Sequence, residues 1–164
     1  MIGKQRQSEL NISPTPIRIN ATESTYPVHI LIRYEIEKGL LDGELKVEEI
    51  EKVWNEKYKQ YLNIDIENAN EGILQDSYWF NDKVVYFPSY VVGRAYASQL
   101  KHSFNKLSSI DEIIKINDLS SLNKWLKENI YQYGARYKSS ELLKKTTKED
   151  LNYNNYLDSL PLER

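Results

Sequence analysis

The chain has 164 residues, 40% hydrophobic and 28% charged, no cysteine and a formal net charge of −2. That length suits one domain burying roughly 70% of its unfolded surface; the charge offers no basic patch for nucleic acid, and the missing thiols exclude a disulfide framework or a thiolate metal site. No run approaches the ~20 apolar residues that would cross a bilayer, and Met1–Gln7 lacks the apolar core of a secretory signal, so a cytoplasmic protein with no membrane or nucleic-acid partner is expected.

Residues 1–16 are polar and end in Ser13-Pro14-Thr15-Pro16, which blocks helix and predicts a flexible arm. From Tyr26 to about Leu41 the pattern is helical. Pro27 suits its first turn, Gly39 and Gly43 mark its far end, and apolar residues around most of its circumference predict a buried helix. Val47–Leu62 repeats apolar residues at three- and four-residue spacing and predicts a second helix. Residues 63–83 read as a long loop, a feature often tied to function in compact domains. Pro88 opens a third helix to about Leu107, in which Gly93 and Ala97 would allow close approach of another helix. Asp118 is placed to cap a fourth helix that stops at Gly134, Ser139 a short fifth through Lys145, and Asn154–Leu160 forms a last turn or two. Lys83–Tyr86 has some strand character, but nothing alternates for long. The class is mainly α.

His29, Arg33 and Glu37 are spaced four apart, one polar stripe on an otherwise apolar helix. A buried guanidinium needs acceptors. The stripe is either an Arg33–Glu37 helix pair or an anion site, since the planar fork of arginine binds a carboxylate through two hydrogen bonds. Tyr86 and Tyr90 stand at the start of the third helix. Their hydroxyls could stabilise a developing oxyanion, or the rings could simply be two of 13 tyrosines packing in a core. Gln75 and Asp76 either anchor the long loop or touch a ligand. A catalytic zinc needs two histidines one helical turn apart and a third ligand. Only His29 and His102 are present, which excludes a complete zinc site, and His102 reads as a surface residue.

Three stretches share a resemblance. Ile17-Arg18-Ile19-Asn20-Ala21-Thr22-Glu23-Ser24-Thr25-Tyr26, His29-Ile30-Leu31-Ile32-Arg33-Tyr34-Glu35-Ile36-Glu37 and Gly72-Ile73-Leu74-Gln75-Asp76-Ser77-Tyr78-Trp79 resemble, in order, signatures of the thermostable carboxypeptidase (carboxypeptidase Taq) family. Tyr86–Ala97, Trp125–Ile130, Gly134–Tyr137 and Tyr156–Leu160 resemble its later segments. Tyr78 stands where the family pattern has histidine, and Asn20 and Thr22 replace Glu and Asp. The resemblance covers 17–160 and only the C-terminal third of the family's usual length.

It implies that 17–164 is the C-terminal helical part of a two-lobed metallopeptidase fold, without the H-E-x-x-H zinc helix. The activity implied is metal-dependent removal of C-terminal amino acids from peptides, with zinc or cobalt in the intact family. It implies that Arg33 holds the peptide's terminal carboxylate, that His29, Gln75, Asp76 and Tyr78 lie on the substrate side, and that Tyr86 or Tyr90 assists catalysis. Implied partners are peptide C-termini, and an H-E-x-x-H-bearing fragment or a second copy. The chain alone is expected to be inactive; the alternatives are a non-catalytic helical interaction module and one half of a split peptidase.

Overall fold

In a computed structural model, the structure describes residues 14–76 and 85–161. All regular elements among them are helical: α1 (Tyr26–Leu41), α2 (Ile50–Leu62), α3 (Pro88–Asn105), α4 (Ile110–Ile116), α5 (Ser120–Asn129), α6 (Ser139–Thr147) and α7 (Asn154–Leu157), with single 3-10 turns at Arg18–Asn20, Val47–Glu49, Ile73–Gln75 and Tyr131–Tyr133. No helix among the described residues is long and apolar enough to cross a membrane. The chain divides into two compact units, residues 1–91 with 161–164, and residues 92–160.

The first unit is built on the α1–α2 hairpin. Ile32 and Ile36 of α1 meet Trp54, Tyr58 and Leu62 of α2 in a buried cluster, and Leu45, Ile64, Ile66 and Ile73 close over it. Two glycines make the turn. Gly43 takes a left-handed conformation (φ 74°), which costs glycine little. At Gly39 a Cβ would lie 3.3 Å from the Cβ of Leu45, so the returning chain packs directly on the helix backbone. Asn63 ends α2 at φ 54°, a residue type that tolerates this region.

Helix α1 departs from the expected all-round burial. It buries His29, Ile30, Ile32, Arg33, Ile36 and Glu37, while Leu31 and Leu41 are 43% and 64% exposed. The polar stripe faces in, because partners from α2 and the loop after it satisfy it there. The expected arm falls mostly on residues 1–13, outside the described residues; Pro16 is held by a hydrogen bond from Gln75 Nε2 to its carbonyl (3.0 Å). Lys83 and Val84 of the strand-like segment also lie outside the described residues, and Val85 has φ 57°, which is not strand geometry.

In the second unit, α4 occupies a stretch to which the sequence pattern assigned no element. It is only 7 residues long, capped by Ser109, whose side chain accepts from Glu112 N, and ended by left-handed Asn117. Asp118 then accepts from Ser120 N at 2.9 Å, but the cap position of α5 is Leu119, with no side-chain cap, where Asp118 was expected. Phe104 and Trp125 pack edge to face. Gln99 is fully buried; it donates to Thr147 Oγ1 (3.0 Å) and the Asp150 carbonyl (3.1 Å) and accepts from Asn152 N (2.8 Å). Helix α6 is preceded by Lys138, not capped by Ser139, and open space lies beside Gly93 where a close helix contact was expected.

Candidate functional site

The three signature stretches converge on one carboxylate in the first unit. The 3-10 turn Ile73–Gln75 delivers Asp76 to a position where only 4% of its side chain is exposed. Arg18 reaches it from the turn before α1, through Nε (3.0 Å) and Nη2 (2.6 Å). Arg33 reaches it from α1, through Nε (2.6 Å) and an ion pair from Nη2. Gln75 locks the same turn: its Oε1 accepts from Arg18 N (2.9 Å) and Arg33 Nη2 (3.1 Å), and its Nε2 donates to the carbonyls of Pro16 and Glu71.

Arg33 is fully buried. Its Nη1 donates to the His29 carbonyl (2.8 Å) and to Tyr58 Oη (3.2 Å). With Asp76 and Gln75, these partners use all five N–H groups that a guanidinium carries. Its planar group also lies 4.7 Å from the Trp54 ring and 5.3 Å from the Phe87 ring, in the range of cation–π attraction. In this structure the Arg33 donors are turned to Asp76, Gln75, His29 and Tyr58. The Arg33–Glu37 helix pair gives way, since the carboxylate that pairs with Arg33 is Asp76, 43 positions away in sequence but adjacent in the fold.

His29 is likewise enclosed. Its Nδ1 is 2.9 Å from Tyr58 Oη. Tyr58 already accepts from Arg33, so its own proton is best directed to Nδ1, which leaves His29 neutral with the hydrogen on Nε2. Nε2 has no hydrogen-bond partner among the described residues. Burial, then the charges of Arg33 and Arg18, lower the His29 pKa from 6.5 to about 4. For Asp76 burial acts upward, but the Arg18 hydrogen bond and the Arg33 charge outweigh it and hold the carboxyl below its ordinary value. Burial raises Glu37, against a hydrogen bond from the Val85 backbone and the charge of Arg33. His29, Arg33 and Asp76 are buried and Gln75 half-buried, and the four are joined in one hydrogen-bonded cluster with Tyr58.

Tyr86 and Tyr90 differ. They pack edge to face with centroids 5.4 Å apart, and they are 40% and 37% exposed. Phe87, fully buried between them in sequence, places its ring 5.0 Å from the Arg18 guanidinium, so the ion cluster anchors the segment that leads from Tyr86 into α3, where Tyr90 stands. Tyr78 lies outside the described residues. Arg18, Trp54, Tyr58 and Phe87 complete the framework and were not singled out from the sequence; the signals available were Arg18 inside the first signature, and Trp54 and Tyr58 one turn apart on the inner face of α2.

The described residues do not fit a catalytic metal. No three His, Cys, Asp or Glu side chains converge among them, His29 is closed off by Tyr58, and His102 is exposed on α3.

The locked cluster thus draws one or more members from each of the three signature stretches, on an all-helical frame. The match of residues 7–162 to the model for "Carboxypeptidase Taq (M32) metallopeptidase" shows that the chain belongs to that family. It is 40% identical over 148 residues to Carboxypeptidase 1 of Bacillus subtilis, covering 90% of this chain and 30% of that protein. It is 33% identical to Thermostable carboxypeptidase 1 of Pyrococcus furiosus, covering 85% and 28%. Among solved structures, Trypanosoma cruzi Metallocarboxypeptidase 1 superposes with a TM-score of 0.89 at 37% identity, over 96% of this chain and 32% of that one. The chain thus spans about 30% of the length of the relatives it matches.

Proposed function

We propose that this chain is the substrate-side portion of a cytoplasmic metallocarboxypeptidase that removes C-terminal amino acids from peptides. The observation that carries the proposal is the convergence of Arg18, Arg33, Gln75 and Asp76, drawn from three family signatures, on a single buried site. In this reading the cluster, with His29, is a rigid frame. The groups offered to substrate are Tyr86 and Tyr90, whose hydroxyls can donate to a carbonyl oxygen as it gains charge. A frame of this kind raises precision, because donors act best when held where charge develops. The zinc or cobalt of the family, and its H-E-x-x-H ligands, would come from polypeptide outside these 164 residues.

The test is release of the terminal amino acid from a blocked dipeptide, with zinc or cobalt added. The purified chain is expected to give no turnover. Co-expression with an H-E-x-x-H-bearing polypeptide from the family is expected to give chelator-sensitive turnover, and Tyr86→Phe or Tyr90→Phe in that complex should lower kcat by about 10²-fold, as loss of one oxyanion donor does. Chelator-sensitive turnover by the chain alone would overturn the partial-enzyme reading. Unchanged kcat in both tyrosine variants would remove their catalytic role.

A further inference from the structure

Glu37 lies one turn beyond Arg33 on α1 and is 5% exposed, although Arg33 pairs with Asp76 instead. A carboxyl taken out of water needs a donor. The donor here is the backbone N–H of Val85, while Oε2 of the same carboxyl has no hydrogen-bond partner among the described residues. Val85 is itself unusual. It has φ 57°, in the left-handed region where a β-branched residue is a true outlier. It is also 36% exposed, so packing of its side chain does not account for the conformation. Such strain persists only where the surroundings hold it, and it gathers at functional sites. The residue that follows is Tyr86. Its carbonyl accepts from Ser89 N (3.1 Å) and Ser89 Oγ (2.6 Å), and Phe87 is buried beside the Arg18 and Arg33 guanidiniums. The chain after Tyr86 is thus fastened to the core, and before it the fastening is the Val85–Glu37 hydrogen bond.

We infer that Glu37 is a positioning residue: by holding the Val85 amide it fixes the left-handed bend that aims Tyr86 outward. The inference rests on the proposed catalytic use of Tyr86 and adds the group that sets its direction. Rotation of Val85 into the extended or right-handed region would swing the peptide that leads into Tyr86 and redirect its ring. Loss of the carboxyl permits that rotation, since the strain is then unopposed. Glycine at position 85 removes the need for a holder, because left-handed backbone costs glycine little.

The test uses the full chain, with a fluorotyrosine placed at position 86 and amide hydrogen exchange read by NMR. In Glu37→Ala the Val85 N–H is expected to exchange about tenfold faster, the scale of one lost hydrogen bond, while the α2 amides keep their rates. The fluorine resonance of Tyr86 should broaden or split in Glu37→Ala and return in Glu37→Gln, whose amide oxygen can still accept. Made in a Val85→Gly background, Glu37→Ala should leave that resonance as it is in Val85→Gly alone, whereas a Glu37 that only fills space would disturb both backgrounds equally. Val85→Gly changes an exposed residue and stands as a check even where Glu37→Ala fails to fold: it should raise the urea midpoint. Unchanged exchange at Val85, an unmoved fluorine resonance, equal disturbance in both backgrounds, or a lower midpoint in Val85→Gly each overturns the inference. In the complex with an H-E-x-x-H-bearing polypeptide, Glu37→Ala should lower kcat as far as Tyr86→Phe does, with KM unchanged and no further loss in the double variant; additive losses overturn it. Unchanged kcat in Tyr86→Phe would instead refute the catalytic use of Tyr86 and leave the positioning, read by exchange and fluorine, standing.

Discussion

Asp76 is the carboxylate that both Arg18 and Arg33 pair with, so Asp76→Asn is the most revealing single change. The side chain is 4% exposed, and it accepts from Arg18 and Arg33 together. Asparagine preserves size and one carbonyl, but it removes the charge and aims an N–H₂ group at guanidinium donors. Arg33, with no exposed surface, would keep its charge without a counterion. Breaking a buried pair in this manner costs about 3–5 kcal/mol, a large share of the typical total of about 5–15 kcal/mol. Taking a urea m-value of about 2 kcal/mol/M, the midpoint should fall by about 2 M.

Trp54 is the natural reporter, lying 4.7 Å from the Arg33 guanidinium. A Trp79→Phe, Trp125→Phe background leaves it as the only tryptophan of the chain's 3, so urea unfolding reads the first unit alone. Arg33→Met in the same background provides the cross-check. Once the most buried cation is gone, Asp76→Asn should cost much less, because Arg18, with 14% of its side chain exposed, can turn towards water. A coupling of about 2 kcal/mol between the two substitutions is expected, within the usual range for contacting residues. A loss below about 1 kcal/mol for Asp76→Asn, or strict additivity with Arg33→Met, would refute the shared-carboxylate account.

Three further outcomes are expected. The His29 pKa is lowered from 6.5 to about 4, so the unfolded chain binds the extra proton first as pH falls; stability should be full above about 6.5 and decline by about 3 kcal/mol towards pH 4, and the difference from His29→Gln measured by urea unfolding at pH 7, 5.5 and 4.5 should show that slope, with a flat difference refuting it. Asp76, held below its ordinary value, loses its contribution only below about pH 4, which keeps the two windows separate. Phe87→Ala, at a fully buried ring, should cost about 3–5 kcal/mol by the same assay, and Phe87→Leu distinctly less. Lys148 closes α6 at φ 68°, so Lys148→Gly should raise the thermal midpoint, through about 0.5 kcal/mol of relieved strain; a lower midpoint would count against it.

Helix positions were legible wherever apolar spacing persisted for three or more turns, as in α1, α2 and α3. Helix α4 escaped because 7 residues give too few repeats for a period, and its existence depends on a cap at Ser109 and a left-handed Asn117. The candidate site was legible in its membership more than in its wiring. The spacing of His29, Arg33 and Glu37 identified a polar stripe on an apolar helix, yet spacing along one helix names only neighbours on that helix. The true partners, Asp76, Gln75 and Tyr58, lie 43, 42 and 25 positions from Arg33, and only closure of the α1–α2 hairpin and the loop beyond it brings them in. The resemblance put Arg33 on the substrate side by its place in a signature, and a place in a signature does not reveal the partners that folding brings to it. Burial distinguishes the expected site residues: the Arg33 guanidinium meets four partners, Asp76, Gln75, His29 and Tyr58, whereas Tyr86 and Tyr90 are 40% and 37% exposed.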